Sequence, residues 1–390
     1  MRFRISLGLI FILGFVLSTV TGAIPVITQE PETPAIRMSH AMVFDPYNEV
    51  VVLFGGMTSE GGLHSLGDTW TYSYELNLWT ELELTTSPSV RSMHNMVYCN
   101  ATNEIILYGG YGYLDTWSFD CTTQTWSQVM TSENPGVHYN LGMAYDSREN
   151  VVVLFGGFGS DGWEQDDTWI FNCTTREWSE VFPVESPLAR YGMGMVYDES
   201  VERVVLTCGN TASQGHQQDT WWYDVSTNTW EEQTTTGVPD RLKWPSMTFD
   251  SKNQICILFG GQIGDDKVDH TWHYDAQQNT WLRRYPDAAP SDRITAAFAF
   301  DSKNNVSILF GGGGQSDGPL GETWSYTLDT NVWTDMSTVS VTTTTTTTTT
   351  TNTTTGTTEP PYQIPFEIIA IGVAIPILVI IGVLFMKKRE

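Results

Sequence analysis

Apolar and polar positions alternate along this chain in a pattern that repeats six times. The stretch 151–178 shows the unit: an apolar run ending in Gly156-Gly157, a polar loop, an Asp-Thr-Trp triplet at 167–169, and a second Trp nine residues after the first. The first Trp recurs at spacings of 47, 52, 52, 51 and 52 residues. The six pairs are Trp70/Trp79, Trp117/Trp126, Trp169/Trp178, Trp221/Trp230, Trp272/Trp281 and Trp324/Trp333. This constancy predicts a repeat protein.

Each repeat predicts four short strands, named a to d here. Strand a is an alternating run such as Ser39–Phe44, and strand b is a continuous β-branched run such as Val50–Phe54. A double Gly ends most b strands, because the backbone there needs positive φ and no Cβ toward a neighbouring sheet. Strand c starts at the Asp-Thr-Trp triplet and strand d at the second Trp. The segment between b and c is the b–c loop.

Four strands of about five residues make a sheet that is too small to be stable alone and has two apolar faces. Stacking six such sheets around an axis buries every face and leaves no long open edge. The sequence therefore predicts an all-β, six-bladed β-propeller over residues 37–337.

The chain ends carry different signals. Residues 1–23 have a basic start (Arg2, Arg4), an apolar core and small residues for cleavage, which predicts a secretory signal peptide; an uncleaved anchor is the alternative. Residues 24–36 form a Pro-rich lead-in, which we expect to lie along the last repeat.

The C-terminal region predicts membrane attachment. Residues 338–362 form a Thr-rich stretch typical of an O-glycosylated stalk. Phe366–Met386 is long and apolar enough for a transmembrane helix, and the basic residues in the tail 387–390 place that end in the cytoplasm. The prediction is a single-pass type I protein of the cell membrane with an extracellular propeller; a cleaved sorting tail is the alternative.

Composition supports a folded, acidic body. Fifteen Trp and 16 Tyr with only 16% charged residues favour extensive burial. A formal net charge of −26 disfavours nucleic-acid partners.

The double Gly after a β-branched run, the fixed Trp pair, and the Arg-x-x-His that opens two repeats (Arg37 to His40, Arg91 to His94) resemble the kelch motif. The resemblance covers about 300 residues and implies one repeat per blade. Kelch domains include adhesion and receptor ectodomains, adaptors and a few enzymes such as galactose oxidase, so the resemblance says little about function.

The b–c loops are the variable part of the repeats, and variable loops on a rigid scaffold commonly bind ligands. We therefore expect binding of an extracellular protein or glycan at that face, with Trp163 and His216 as the first candidates; unconstrained loop drift is the alternative. A second hypothesis is a carbohydrate-active ectoenzyme with its site at the propeller channel, and a third is a structural surface component. The sequence contains no H-E-x-x-H and no phosphate-binding loop, and the G-x-S-x-G string at 314–318 is not followed by a predicted helix, so it is not a nucleophile elbow. We predict no cofactor.

An Arg opens strand a in five repeats. By the resemblance, strand a lines the channel, so these residues would ring its mouth and bind an acidic ligand, or each would pair with the Asp of a triplet. His40, His94 and His138 are read as equivalent positions, where packing or a polar lining is favoured over a metal site. The five Arg residues are Arg37, Arg91, Arg190, Arg241 and Arg293.

Cysteines and sequons fall in predicted turns. Of five Cys, Cys99 and Cys121 are the best disulfide candidate, and Cys173 is expected to be too far away to bridge. Four sequons predict N-glycosylation, three of them on the face opposite the b–c loops. They are Asn100, Asn172, Asn305 and Asn352.

Overall fold

The structure, a computed structural model, describes residues 32–314 and 318–339. Six four-stranded antiparallel sheets follow one another along the chain, each with strands in the order a-b-c-d. Every sheet is built from one continuous stretch, so each repeat is one blade. The predicted all-β six-bladed propeller is confirmed.

The first three blades have these strands. Blade 1 is Ala41–Asp45, Val50–Phe54, Thr69–Ser73 and Leu78–Glu81. Blade 2 is Asn95–Cys99, Glu104–Tyr108, Thr116–Asp120 and Thr125–Val129. Blade 3 is Gly142–Asp146, Val151–Phe158, Glu164–Asn172 and Glu177–Val181.

The last three blades follow the same plan. Blade 4 is Tyr191–Asp198, Arg203–Thr211, Thr220–Asp224 and Thr229–Glu232, with Gly215–His216 added beside strand b. Blade 5 is Ser246–Asp250, Ile255–Phe259, Thr271–Asp275 and Thr280–Arg284. Blade 6 is Ala297–Asp301, Val306–Phe310, Thr323–Thr327 and Val332–Asp335.

Two b–c loops contain short ladders, Met57–Thr58 with His64–Ser65 and Gln262–Ile263 with Asp266–Lys267. In blade 6, Arg293–Ile294 before strand a pairs with Gly313–Gly314 after strand b. In blade 3 the b–c ladder continues past a register shift between Phe155 and Gly157, which makes these two strands longer than the sequence predicted.

The core lies between blades. One cluster joins Val51, Leu53 and Tyr72 of blade 1 to Ile308 and Phe310 of blade 6, and similar clusters fill the other junctions. Because both faces of each sheet are covered, strand b is mostly a continuous apolar run rather than an alternating one.

The two tryptophans of each repeat, nine residues apart, have different roles. The strand d indole donates across the junction to the triplet Thr of the preceding blade, at 2.9–3.1 Å. In blades 1 to 4 the strand c indole donates within its own blade to the triplet Asp, as Trp70 does to Asp68 at 2.7 Å. The six cross-junction pairs are Trp79–Thr323, Trp126–Thr69, Trp178–Thr116, Trp230–Thr168, Trp281–Thr220 and Trp333–Thr271.

The only helical turns among the described residues are Leu328–Thr330 and Met336–Thr338. No helix within residues 32–314 and 318–339 is long and apolar enough to cross a membrane. The predicted signal peptide, transmembrane helix and cytoplasmic tail, and nearly all of the stalk, lie outside the described residues. Directly after the lead-in, Arg37 N–H donates to the Leu320 carbonyl of blade 6 at 2.9 Å.

Candidate functional site

A closed ring of backbone hydrogen bonds surrounds the propeller axis where the six a strands begin. Each blade contributes one residue in the left-handed conformation, with φ between 50° and 64°. Its N–H donates to the carbonyl of its counterpart in the preceding blade at 2.7–3.2 Å, and Ser39 closes the circle onto Thr295. The backbone ring consists of Ser39, Met93, Asn140, Gly192, Trp244 and Thr295.

The backbone ring narrows the channel at the b–c loop face. Beneath it, a channel of about 600 Å³ runs between the a strands to the a–b turns, and its walls include Met96, Met143, Met195 and Met247. His40 and His94 also line this channel, whereas none of the five Arg residues that the sequence placed there does.

The Arg side chains lie inside the blades. Arg37 makes a bidentate pair with Asp68 at 2.8 and 2.6 Å and also donates to the Gly55 carbonyl. Burial tends to raise the pKa of Asp68, but hydrogen bonds and charge from Arg37 outweigh it and lower that pKa. Of the two interpretations of these Arg residues, pairing with the triplet acid is the one that the structure shows. The equivalent pairs are Arg91–Asp115, Arg190–Asp219 and Arg293–Glu322.

Two predicted equivalences are wrong. Arg241 is exposed and donates to the His216 carbonyl, whereas fully buried Leu242 occupies the position of the other Arg residues. His138 also occupies that position, with Nε2 3.2 Å from Asp167, so it is not the counterpart of His40 and His94. The segment before strand a differs in length among the repeats, so counting residues from the Trp pairs places equivalent residues one or more positions apart. The backbone hydrogen bonds from the double Gly identify which residues are equivalent.

Blade 5 replaces the buried Arg–Asp pair with a different one. His270 stands where the other triplets have an acid, and its Nδ1 lies 2.6 Å from Asp240 in the d–a segment. Trp272 donates to the same carboxylate at 3.3 Å. In blade 5 the carboxylate therefore comes from Asp240 in the d–a segment and not from the triplet. Leu242 occupies the position of the Arg.

His40 and His94 are packing residues of the junctions. Each ring meets a Phe at the end of strand b of the preceding blade edge-on, Phe310 and Phe54 respectively, with centroids 5.6 Å apart. Burial, with a smaller contribution from the charge of Arg91, lowers the pKa of His94 to about 3, so its ring is neutral near pH 7. Within the described residues, no cluster of three or more His, Cys, Asp or Glu is arranged to hold a metal ion.

Five aromatic rings form a continuous chain across the b–c loop face of blades 2 to 5, and we call them the aromatic arc. Successive centroids are 5.2, 5.2, 4.2 and 5.9 Å apart. Tyr111 is 66% exposed and the other four are half-buried. The arc consists, in order, of Tyr111, Tyr139, Phe158, Tyr191 and Trp244.

The arc arises from two positions in the repeat, with Trp244 added from the backbone ring. Tyr111 and Phe158 directly follow the double Gly, and Tyr139 and Tyr191 directly follow the buried residue that precedes strand a. These positions pair across the face, as Tyr139 does with Phe158. Our sequence reasoning missed the arc, although aromatic residues directly after the Gly pairs at 109–110 and 156–157 were a visible signal.

The two loop residues predicted from sequence lie in different settings. Trp163 is 66% exposed at the tip of the hairpin that carries Phe158. His216 is half-buried, and its Nδ1 accepts a hydrogen bond from Gly264 N–H of blade 5 at 3.3 Å. Trp163 is therefore available to a ligand, while His216 joins two loops.

The opposite face carries the predicted sequons. Asn100, Asn172 and Asn305 lie at turns there, and Asn100 is exposed. Asn172 accepts backbone hydrogen bonds from its own turn. Asn352 lies outside the described residues.

The expected Cys99–Cys121 pairing is corrected. All five cysteines are free, and the sulfur nearest to Cys99 is that of Cys173, at 2.8 Å. Cys99, Glu104 and Asp120 are aligned across the sheet of blade 2. Because side chains alternate along a strand, Cys121 points to the other face of that blade.

Together, the six single-repeat blades and the closed backbone ring define a kelch-type propeller. A family model described as the KLHDC2/KLHL20/DRC7 Kelch-repeats domain matches residues 10–185 and 147–358. The two matches span most of the chain, which therefore belongs to this kelch-repeat family. Kelch propellers are typically protein-interaction domains and are generally not enzymes.

Proposed function

We propose that this protein binds an extracellular protein partner through its b–c loop face, with the aromatic arc as the anchor. The observation that carries the proposal is the unbroken chain of five rings at that face. Tyr and Trp dominate the binding energy of protein interfaces, because large rings bury much area with few rotatable bonds.

The surroundings of the arc favour a ligand that lies on the surface. Trp244 belongs to both the backbone ring and the arc. A partner at this face therefore contacts the backbone of the ring and the aromatic side chains of the arc. Trp163 stands at the tip of the blade 3 hairpin and would contact the same partner from the side.

Charge indicates the chemistry of the partner. The whole chain carries a formal charge of −26. Glu164 stands at the start of strand c of blade 3, next to the loop that carries Trp163, and the pKa of Tyr191 is raised by burial and by the negative charge of Glu164. A partner with a basic surface would associate faster and in a salt-dependent manner.

Display at the cell surface is part of the proposal and rests on the sequence. The secretory signal at 1–23, the Thr-rich stalk at 338–362 and the apolar segment 366–386 support a type I membrane protein with the propeller outside the cell. A glycan is the alternative ligand at the same face.

The channel offers less support for a carbohydrate-active enzyme. That hypothesis used the Arg and His residues of strand a, and those Arg side chains are occupied by carboxylates inside the blades. His94 is a neutral ring packed against Phe54.

The test uses the full-length chain in detergent against a panel of extracellular proteins and a glycan array. The triple variant Tyr139→Ala/Phe158→Ala/Tyr191→Ala should weaken the interaction at least about tenfold. The matched control replaces Phe182 and Tyr285, which are 76% and 74% exposed but lie outside the arc. A ligand that binds the triple variant as tightly as the wild type would refute the assignment of the face.

A further inference from the structure

Two cysteine sulfurs meet at the junction of blades 2 and 3. Cys99 ends strand a of blade 2, and Cys173 follows strand c of blade 3. Their sulfur atoms are 2.8 Å apart, and both residues are buried in the cluster that joins these blades. This contact brings together residues that are 74 positions apart in the chain.

Cys99 is a departure from the repeat. The other five blades have an Asp at this position, and each Asp accepts backbone hydrogen bonds from the a–b turn that follows. In blade 2 the turn has instead a backbone bond from Thr102 N–H to the Cys99 carbonyl, at 3.3 Å. The five residues are Asp45, Asp146, Asp198, Asp250 and Asp301.

The position of Cys173 also varies among blades. Five residues before the second Trp, the repeats have Tyr74, Cys121, Cys173, Val225, Ala276 and Leu328. At the junction of blades 1 and 2, the equivalent contact joins Asp45 to Cys121. The junction of blades 2 and 3 is the one of the six described junctions at which both positions are Cys. The turn-capping Asp has thus been exchanged for a residue whose sulfur faces a second sulfur.

We propose that Cys99 and Cys173 form a disulfide that links blade 2 to blade 3 when the chain folds in an oxidising compartment. In this step the two thiols release two protons and two electrons and one S–S bond forms. A small-molecule or protein disulfide takes up both protons and both electrons, and its own S–S bond breaks to give two thiols. The proposal agrees with cell-surface display but does not depend on ligand binding.

Burial indicates when the bond forms. Both sulfurs are enclosed once the blades have packed, and burial raises the pKa of the Cys99 thiol, so the reactive thiolate is disfavoured in the folded state. Oxidation therefore occurs before blades 2 and 3 close on each other. The finished bond is then shielded from reductants.

Mass spectrometry tests the bond directly. The full-length chain is produced through a eukaryotic secretory pathway, denatured, alkylated and digested without reduction. A linked peptide pair containing Cys99 and Cys173 is expected, with Cys121, Cys208 and Cys256 alkylated. A parallel sample of reduced chain is refolded with oxidised and reduced glutathione, so that failure to enter the secretory pathway does not obscure the chemistry. Free Cys99 and Cys173 in both samples, or a Cys99–Cys121 link, would overturn the proposal.

Thermal unfolding gives a second readout. Cys99→Ser and Cys173→Ser should each lower the Tm by roughly 5–10 °C under non-reducing conditions, and the double variant no further than the worse single variant. Reductant present during folding should lower the wild-type Tm by a similar amount without changing either variant. Cys121→Ser is the matched control, because it removes a buried thiol at the neighbouring junction. The Tm of this variant should still fall when reductant is present during folding. A wild-type Tm that is unaffected by reductant during folding would contradict the proposal.

Discussion

The indole N–H of Trp79 in blade 1 donates to the hydroxyl of Thr323 in blade 6 at 2.9 Å. The equivalent Trp–Thr bond is present at the five remaining junctions. Blades 1 and 6 are the one pair of neighbouring blades that are not consecutive in sequence. All four strands of blade 6 come from the last repeat, so no strand is exchanged to close the circle. Contacts that close the circle include this bond, the apolar cluster around Phe310 and the contact of Arg37 with Leu320. The Asn77 side chain also donates to the Met336 carbonyl at 2.7 Å.

Removing the Thr hydroxyl should weaken closure. Thr323→Val leaves the Trp79 N–H without its acceptor, and we expect a loss of about 1–2 kcal/mol in the free energy of unfolding. Thr116→Val, which affects the bond from Trp178 between blades 2 and 3, is the matched control with a similar loss. Hydrogen exchange should be faster in blades 1 and 6 of Thr323→Val, because no linker holds these blades together. Equal exchange in the two variants would show that closure does not depend on this junction.

The buried Arg residues should be important for stability and not for ligand binding. Arg190→Met would leave Asp219 without its bidentate partner, and we expect a loss of about 3 kcal/mol, measured by denaturant unfolding. Arg241→Met, at an exposed side chain, should change stability by less than about 0.5 kcal/mol. An Arg190 variant of wild-type stability that had lost ligand affinity would restore the sequence-based hypothesis of an Arg ring at the channel.

Stability should depend on pH through His94. Unfolded imidazole takes up a proton below its ordinary pKa of 6.5, whereas in the folded protein the pKa is about 3. The unfolded state therefore binds more protons between these values. The contribution of the neutral ring is fully present above pH 6.5 and is lost as the pH falls toward 3, by up to about 1.4 kcal/mol per pH unit.

The variant His94→Leu should make this loss shallower, because Leu takes up no proton in either state. Blade 3 has Leu141 at the equivalent position, so the junction accepts this side chain. Urea unfolding at several pH values between 4 and 7 measures the slope. Burial also lowers the pKa of His40, so the stability of the variant should still depend on pH, with a smaller slope. Tyr47→Ser, in an exposed turn, should retain the wild-type slope. An unchanged slope in His94→Leu would show that the ring is not the source.

Gly192 should be the least replaceable member of the backbone ring. A Cβ at this position would lie 2.4 Å from the Trp244 ring, and its φ of 63° is unfavourable for Ala. We expect Gly192→Ala to cost about 1–3 kcal/mol and, by displacing Trp244, to weaken ligand binding as well. Asn140→Gly, at the same ring position in blade 3, should be nearly neutral. Calorimetry and the binding assay measure both, and a fully stable Gly192→Ala would contradict the close approach.

The sequence by itself determined the repeat, its four strands, the number of blades and the kelch family. These follow from local periodicity, because each blade is one continuous stretch and its core positions recur at fixed spacing. The partners of individual side chains were harder to predict. His138 was assigned to the wrong row because the d–a segments differ in length, and spacing in sequence does not define register there.

Only the tertiary structure decided what meets across the junctions and on the faces. The sequence matched Cys99 with Cys121 of the same repeat, but these two side chains lie on opposite faces of blade 2. The sulfur that Cys99 meets belongs to Cys173 of the next blade. The aromatic arc likewise combines residues from four repeats whose proximity depends on the circular arrangement. Local pattern fixes a blade because its contacts are short in sequence, but contacts between blades depend on how the sheets are rotated about the axis.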